Sequence, residues 1–257
     1  MATRRGVRVF RRVPACRLRL ICLPHAGGAA SYFRTWSERL PDDVELCAIQ
    51  YPGRENRVDD PLPADLGALA DEVTDAIRGL LDRPVVILGH SMGALVGYEV
   101  TGRLTACGEH RAVRRLVVSG SAAPGRTRAF RGQQDAGSRS DDDLVLMLEK
   151  SGAQGLALLD DPGMRSVLLP AIRNDYRIVQ AYAAEPRGAL DVEITALSGL
   201  ADPFIRPDEV RAWSSVTSGR FRYRSFPGGH FYLTHREEDV VRAALEAIGT
   251  GDSHASC

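Results

Sequence analysis

The sequence predicts an α/β domain with a mostly parallel, doubly wound central sheet and helices on both faces. Three observations carry that expectation. Short apolar, β-branched runs alternate with segments of helical period through the first half of the 257-residue chain. Several of these runs are apolar throughout, as strands buried on both faces are. One of them, Val85-Val86-Ile87-Leu88, passes through a glycine-rich turn straight into a helical segment.

The remaining elements follow in order. Arg17-Leu18-Arg19-Leu20-Ile21-Cys22-Leu23 alternates and then turns fully apolar, as a strand entering a core does. It empties into Pro24-His25-Ala26-Gly27-Gly28, and a short helix follows around residues 32–40. Residues 44–51 are the next strand and end in the charged turn Pro52-Gly53-Arg54-Glu55-Asn56-Arg57. Such a turn lies at the strand's C-terminal end, where open α/β sheets place their ligands. Leu66, Leu69, Ala70, Val73, Ile77 and Leu80 recur near a 3.6 period and mark a helix over residues 66–81. The strand at Val85 leads to a helix reaching about Ala106, and residues 115–120 form another strand.

The rhythm then breaks between Gly125 and Glu185. A Gly-, Arg- and Ser-rich stretch without period precedes a helix over residues 144–150, capped by Asp141-Asp142-Asp143. A longer helix over residues 162–184 carries Leu168, Leu169, Ile172, Tyr176 and Val179 on one side, with a kink expected at Pro170. An insertion of this size (residues 125–185) reads as a helical lid. The sheet resumes at residues 192–197, a short helix spans 207–214, the last strand covers 221–226 and a closing helix covers 236–248. Residues 1–257 thus read as one domain, with tails at 1–14 and 249–257 expected to be disordered.

Composition narrows the function. The 33 basic and 33 acidic residues cancel, which counts against nucleic acid as the main partner. Lys150 is the one lysine; all other basic residues are arginine, a coding bias before it is a functional signal. The five cysteines (Cys16, Cys22, Cys47, Cys107 and Cys257) show no C-x-x-C spacing and suit reduced thiols in a cytoplasmic protein. No run approaches the ~20 apolar residues of a membrane span. The Arg-rich start, residues 1–12, lacks the apolar segment of a secretory signal.

Gly89-His90-Ser91-Met92-Gly93 fits G-x-S-x-G, with a strand before it and a helix after it, the context a nucleophile elbow requires. So tight a turn strains the serine backbone and leaves no room for side chains two residues to either side. A serine hydroxyl needs a base, and the base an orienting acid, in the chain order Ser, Asp or Glu, His. His25 and His90 lie in tight turns with other roles, His110 and His254 in polar segments, and His235 at a helix start. His230 follows the last strand behind Gly228-Gly229 and is the expected base. Asp191 and Glu193 sit at the wrong end of their strand, whereas Asp202 sits in the turn leaving it and is the expected acid. The oxyanion hole is expected from the N–H of Met92 and one from the His25-Ala26-Gly27 loop, that of Ala26. Together these features predict the α/β-hydrolase fold.

Leu23-Pro24-His25-Ala26-Gly27-Gly28, Gln50-Tyr51-Pro52-Gly53-Arg54, Gly89-His90-Ser91-Met92-Gly93-Ala94 and Gly228-Gly229-His230-Phe231 together resemble the type II thioesterases of polyketide and nonribosomal peptide assembly lines. The helix from Leu169-Pro170 through Tyr182 is similar to that family's lid helix, and the resemblance runs over about residues 15–248. It implies hydrolysis of acyl thioesters on the phosphopantetheine arm of an acyl or peptidyl carrier protein, clearing stalled or wrongly primed chains. No metal or cofactor, nucleic acid or membrane is implied. Leu168, Leu169, Ile172 and Tyr176 are expected to line the acyl pocket, and Arg126, Arg128 and Arg131 to face an acidic carrier. A carboxylesterase or lipase, an acyltransferase or cyclase, and a non-catalytic binding module are the alternatives.

Overall fold

Among the described residues, seven strands form one sheet: β1 (Val7–Arg11), β2 (Leu18–Leu23), β3 (Val44–Ile49), β4 (Val85–His90), β5 (Val113–Ser119), β6 (Glu193–Gly199) and β7 (Phe221–Phe226). Their spatial order is β1-β3-β2-β4-β5-β6-β7. The computed structural model describes residues 6–126, 139–153, 155–184, 187–246 and 248. β1 pairs antiparallel with β3, and every other pairing is parallel.

Side-chain alternation explains the layers. On β2, Leu18, Leu20 and Cys22 face a cluster with Phe33, Trp36, Val240 and Val241. Ile21 and Leu23 face the opposite way, onto α1 (Leu66–Arg78) and α2 (Met92–Ala106). The 3₁₀ helix Ala30–Glu38 and α6 (Glu237–Leu245) therefore cover one face and α1 and α2 the other. β4 is buried along its whole length, which is why its sequence carries no polar alternation. Asp65 caps α1 by accepting from the Ala68 N–H at 2.7 Å. The short α5 (Pro207–Arg211) lies between β6 and β7.

Topology places the site. From β2 the chain runs outward to β3, then crosses back to β4 on the other side of β2. The crevice between β2 and β4 is thus a switch point, where the loops leaving the two strands diverge and leave room for a ligand. The register pairs Leu23 with Gly89, so the loop starting at Pro24 leaves the sheet beside the turn at Ser91. Gly199 pairs with Phe226, so the loops after β6 and β7 also start side by side.

The insertion between β5 and β6 contributes α3 (Asp141–Ser151) and α4 (Pro162–Ala181). They share a small core of their own: Leu144, Leu148, Leu159, Leu169 and Ile172, with Leu168 and Tyr176 packed against it. Ser140, rather than the aspartates after it, caps α3, in a reciprocal box with Asp143. The aspartates occupy the first turn. α4 spans Pro170 without ending there.

The expectation of a disordered tail over residues 1–14 is corrected at Val7–Arg11. This segment is an edge strand, and its arginines are held: Arg11 donates to the Leu40 carbonyl at 2.7 Å and pairs with Asp42 at 2.7 Å. An edge strand needs only one apolar side and tolerates charge on the other, so its sequence reads as a tail. The tail expected at 249–257 lies outside the described residues.

Candidate active site

Ser91 stands between β4 and α2 with φ 55° and ψ −116°. Among the described residues only Glu55 is another non-glycine residue with positive φ. The neighbouring glycines are sterically required. A Cβ on Gly89 would lie 2.0 Å from the Gly93 carbonyl oxygen, and one on Gly93 would lie 2.2 Å from that of Leu23. The Ser91 N–H donates to the Ser119 carbonyl at 2.7 Å, which ties the turn to β5. Strain of this kind, of order 1–3 kcal/mol, persists only where surrounding structure over-determines it.

On the other side of the site, a Cβ on Gly199 would lie 2.1 Å from the Gly229 carbonyl, so the loops carrying Asp202 and His230 are in direct backbone contact. The Asp202 side chain is buried, and its Oδ1 accepts from the N–H groups of Phe204 at 2.9 Å and Ile205 at 3.3 Å. Its Oδ2 lies 2.8 Å from His230 Nδ1. A carboxylate at Nδ1 fixes the tautomer that leaves the lone pair on Nε2.

His230 is set among rings. Phe231 lies edge-on at 5.2 Å, Phe204 edge-on at 5.5 Å and His90 at 5.0 Å. His90 is buried and places Nδ1 3.1 Å from Ser119 Oγ, which in turn lies 2.7 Å from the Tyr232 hydroxyl. Burial and the nearby His230 hold His90 well below the ordinary imidazole range. Burial, then His230 and Arg54, push His25 down to about 3. Both rings are neutral at physiological pH, so His230 has no cationic imidazole beside it.

Ser91 and His230 line a single cavity of about 370 Å³, a volume typical of small-molecule sites. Ala26 and Met92, the expected donors to an oxyanion, also line it. Of the four residues expected on the acyl pocket, only Tyr176 is in its wall. Leu168 and Leu169 pack in the small core shared by α3 and α4, and Ile172 packs both there and against Gly27. Their place in the wall is taken by Leu146, Met147 and Lys150 of α3, and by Val179 of α4. Sequence reasoning missed these because α4 buries two sides, and its most apolar side is the one packed on α3. The exposed Leu146, on a helix whose buried side is Leu144 and Leu148, was the available signal. Arg126 is exposed, while Arg128 and Arg131 lie outside the described residues. No helix among the described residues is long and apolar enough to cross a membrane.

A family model for the thioesterase domain matches residues 18–248. The chain belongs to the thioesterase family. The match begins at β2, so β1 lies outside it. The chain is 36% identical over 244 residues to the probable cadicidin biosynthesis thioesterase of Streptomyces griseus, covering 95% of this chain and 66% of that protein. It is 39% identical over 224 residues to the AMB antimetabolite synthetase AmbE of Pseudomonas aeruginosa, covering 87% of this chain and 10% of that protein. It therefore spans just under two thirds of the first relative and a tenth of the second. Among solved structures, the type II thioesterase BorB from the borrelidin biosynthetic cluster superposes with a TM-score of 0.82 at 34% identity, covering 92% of this chain and 94% of BorB. The mostly parallel sheet with helices on both faces is thus the α/β-hydrolase fold of thioesterases, as the sequence predicts.

Proposed function

We propose that this thioesterase hydrolyses acyl groups from the phosphopantetheine arm of an acyl or peptidyl carrier protein, with Ser91 as nucleophile, His230 as base and Asp202 as orienting acid. The observation that carries this reading is the 2.8 Å contact between Asp202 Oδ2 and Nδ1 of His230, which lines the same cavity as Ser91. Membership of the thioesterase family favours sulfur over oxygen esters.

The chemistry follows from these groups. Ser91 Oγ attacks the thioester carbonyl carbon while its proton passes to His230 Nε2. The carbonyl oxygen becomes an oxyanion held by the N–H groups of Met92 and Ala26, and Asp202 stabilises the imidazolium. The C–S bond breaks, and the sulfur leaves with the electron pair and takes the proton from Nε2. A thiolate leaves readily, so this protonation matters less than it does for an amide. Water then attacks the acyl-serine and gives its proton to Nε2. The bond to Ser91 Oγ breaks, the serine recovers that proton, and a free acid departs. No step calls on a metal or cofactor.

The biological role we infer is editing: removal of stalled or wrongly primed chains from a synthase, with α3 and α4 as the lid over the acyl chain. The names of the relatives, tied to biosynthetic clusters, favour that role. The free cysteines Cys16, Cys22, Cys47 and Cys107 suit a reducing compartment, and we assign the enzyme to the cytoplasm. A panel of acyl-carrier thioesters, run beside an oxygen ester of each acid, tests the reading. Faster release from the carrier is expected, with free acid as the product. A faster oxygen ester would make the protein a carboxylesterase, and an ester or amide product by mass would make it an acyltransferase.

A further inference from the structure

The Gln50-Tyr51-Pro52-Gly53-Arg54 segment has no part in the chemistry above, yet its side chains converge on the loop that carries Ala26. The Gln50 side-chain oxygen accepts from the Ala30 N–H at 3.1 Å, and the Tyr51 hydroxyl donates to the Pro24 carbonyl at 3.2 Å. Arg54 donates to the Pro52 carbonyl at 2.6 Å and, through its other terminal nitrogen, forms an ion pair with Asp175 Oδ2 of α4. The same carboxylate oxygen accepts the Gly27 N–H at 2.7 Å.

Both partners are deeply buried: Arg54 is 4% exposed and Asp175 is 0%. Burial raises the Asp175 carboxyl above its ordinary range, against the opposing pull of Arg54 and the Gly27 N–H. A buried ion pair is a poor source of stability, because desolvation offsets most of the attraction and apolar residues of the same volume often serve better. Its geometry is where it acts. The Gly27 N–H shares a peptide plane with the Ala26 carbonyl, so fixing it fixes the direction of the loop at Ala26. The Gly27 N–H is engaged by Asp175 and the Gly28 N–H by the His25 carbonyl at 2.9 Å, so neither of these donors is offered to the cavity. Ile172, three residues before Asp175, packs on the same turn: a Cβ on Gly27 would lie 2.9 Å from Ile172 Cγ1. One side of α4 therefore both covers and orients the loop.

We propose that Arg54 and Asp175 are positioning residues that act through the Gly27 N–H to aim the Ala26 N–H at the oxyanion, so that the hole is complete only while α4 is seated. This rests on the reading of Ala26 and Met92 as the oxyanion donors. Asp175→Asn keeps the shape but replaces the charged acceptor of the Gly27 N–H with a neutral amide and leaves Arg54 without its counter-charge. It is expected to lower kcat about 10²-fold with KM changed less than about twofold. Inhibition by a trifluoromethyl ketone, whose serine adduct carries an oxyanion, is expected to weaken by a similar factor. The double variant Arg54→Met/Asp175→Leu removes both charges and is expected to melt at or above the wild-type temperature while staying as slow as Asp175→Asn. It serves as the reporter if Asp175→Asn does not fold. Wild-type kcat in the double variant, or ketone inhibition unchanged in a slow variant, would overturn the proposal. Ser91→Ala, run in parallel, separates the two claims. If it is inactive while the double variant is fully active, the positioning role fails and the serine mechanism stands; if it turns over, the mechanism itself fails.

Discussion

His25-Ala26 and Ser91-Met92 meet over one cavity, and opposite kinds of structure hold them there. The turn at Ser91 is closed by its immediate neighbours: Gly89 and Gly93 are so near each other and the Leu23 carbonyl that no side chain fits. The loop at Ala26 closes on itself only through the Gly28 N–H, which donates to the His25 carbonyl at 2.9 Å. It is held from afar, by Asp175 across 148 residues of sequence and by the Arg54–Asp175 pair across 121. The turn is held by its own backbone, and the loop by side chains from elsewhere: Gln50 and Tyr51 at its ends and Asp175 of α4 at Gly27. On the proposed mechanism, the nucleophile is fixed by its own turn while one half of the oxyanion hole depends on the seating of α4.

The contrast can be broken at matching glycines, and here the largest effect is expected. Gly93→Ala forces a Cβ to within 2.2 Å of a backbone oxygen and is expected to cost more than about 4 kcal/mol, leaving little folded protein. Gly27→Ala meets the Ile172 side chain first, at 2.9 Å, and a positive φ of 78°. It is expected to fold, at a cost of about 1–3 kcal/mol, but to turn over about 10²-fold more slowly. Thermal melting and steady-state kinetics on the two variants check this. Equal loss of stability in both would erase the distinction between local and distant support.

The insertion sharpens the comparison from the substrate side. Met147→Trp projects into the cavity wall and is expected to shift preference toward shorter acyl chains, by about 10–200-fold per methylene displaced. Leu169→Trp, aimed instead at the core between α3 and α4, is expected to cost about 1–3 kcal/mol of stability and leave chain preference alone. Chain-length panels on both variants distinguish a wall residue from a packing residue.

A smaller effect is expected from the neutral histidine of the Ser91 turn. His90 is held uncharged in the fold, so below about pH 6.5 the unfolded chain binds a proton that the folded one does not. Stability therefore rises with pH across that range and is lost as pH falls below 6.5 toward the folded pKa. His90→Gln removes this contribution and is expected to flatten the dependence by about 1.4 kcal/mol per pH unit between pH 6 and 5. Urea titrations of both proteins over that range give the slopes. Identical slopes would mean that His90 takes up its proton in the folded state.

What could be read from the sequence divides along the same line as the two loops. The turn at Ser91 was legible because its constraints lie within five residues, and the His230–Asp202 contact because each residue lies in the loop leaving its strand. The sheet was legible from β2 onward because buried parallel strands are apolar throughout. β1 was not, since an edge strand carrying Arg8 and Arg11 has one side's worth of apolar signal. Nor was the Arg54–Asp175 pair, because nothing near either residue announces the other. On α4, helical period located an apolar side but could not say whether it faced substrate or α3, and Leu169 and Ile172 went to α3.

The central claim, an acyl-enzyme on Ser91 resolved by His230 and Asp202, is tested most directly by trapping. Asn at position 202 keeps the geometry but leaves His230 in the wrong tautomer, a change that costs serine hydrolases about 10⁴ in rate. Asp202→Asn mixed with an acyl-carrier thioester and quenched over time is read by mass spectrometry of the peptide carrying Ser91. The account predicts a slow, stoichiometric gain of one acyl mass on that peptide, absent from Asp202→Asn/Ser91→Ala, with free acid appearing no faster than the adduct decays. Free acid released at the wild-type rate without the adduct, or an acyl mass on another residue, would contradict it.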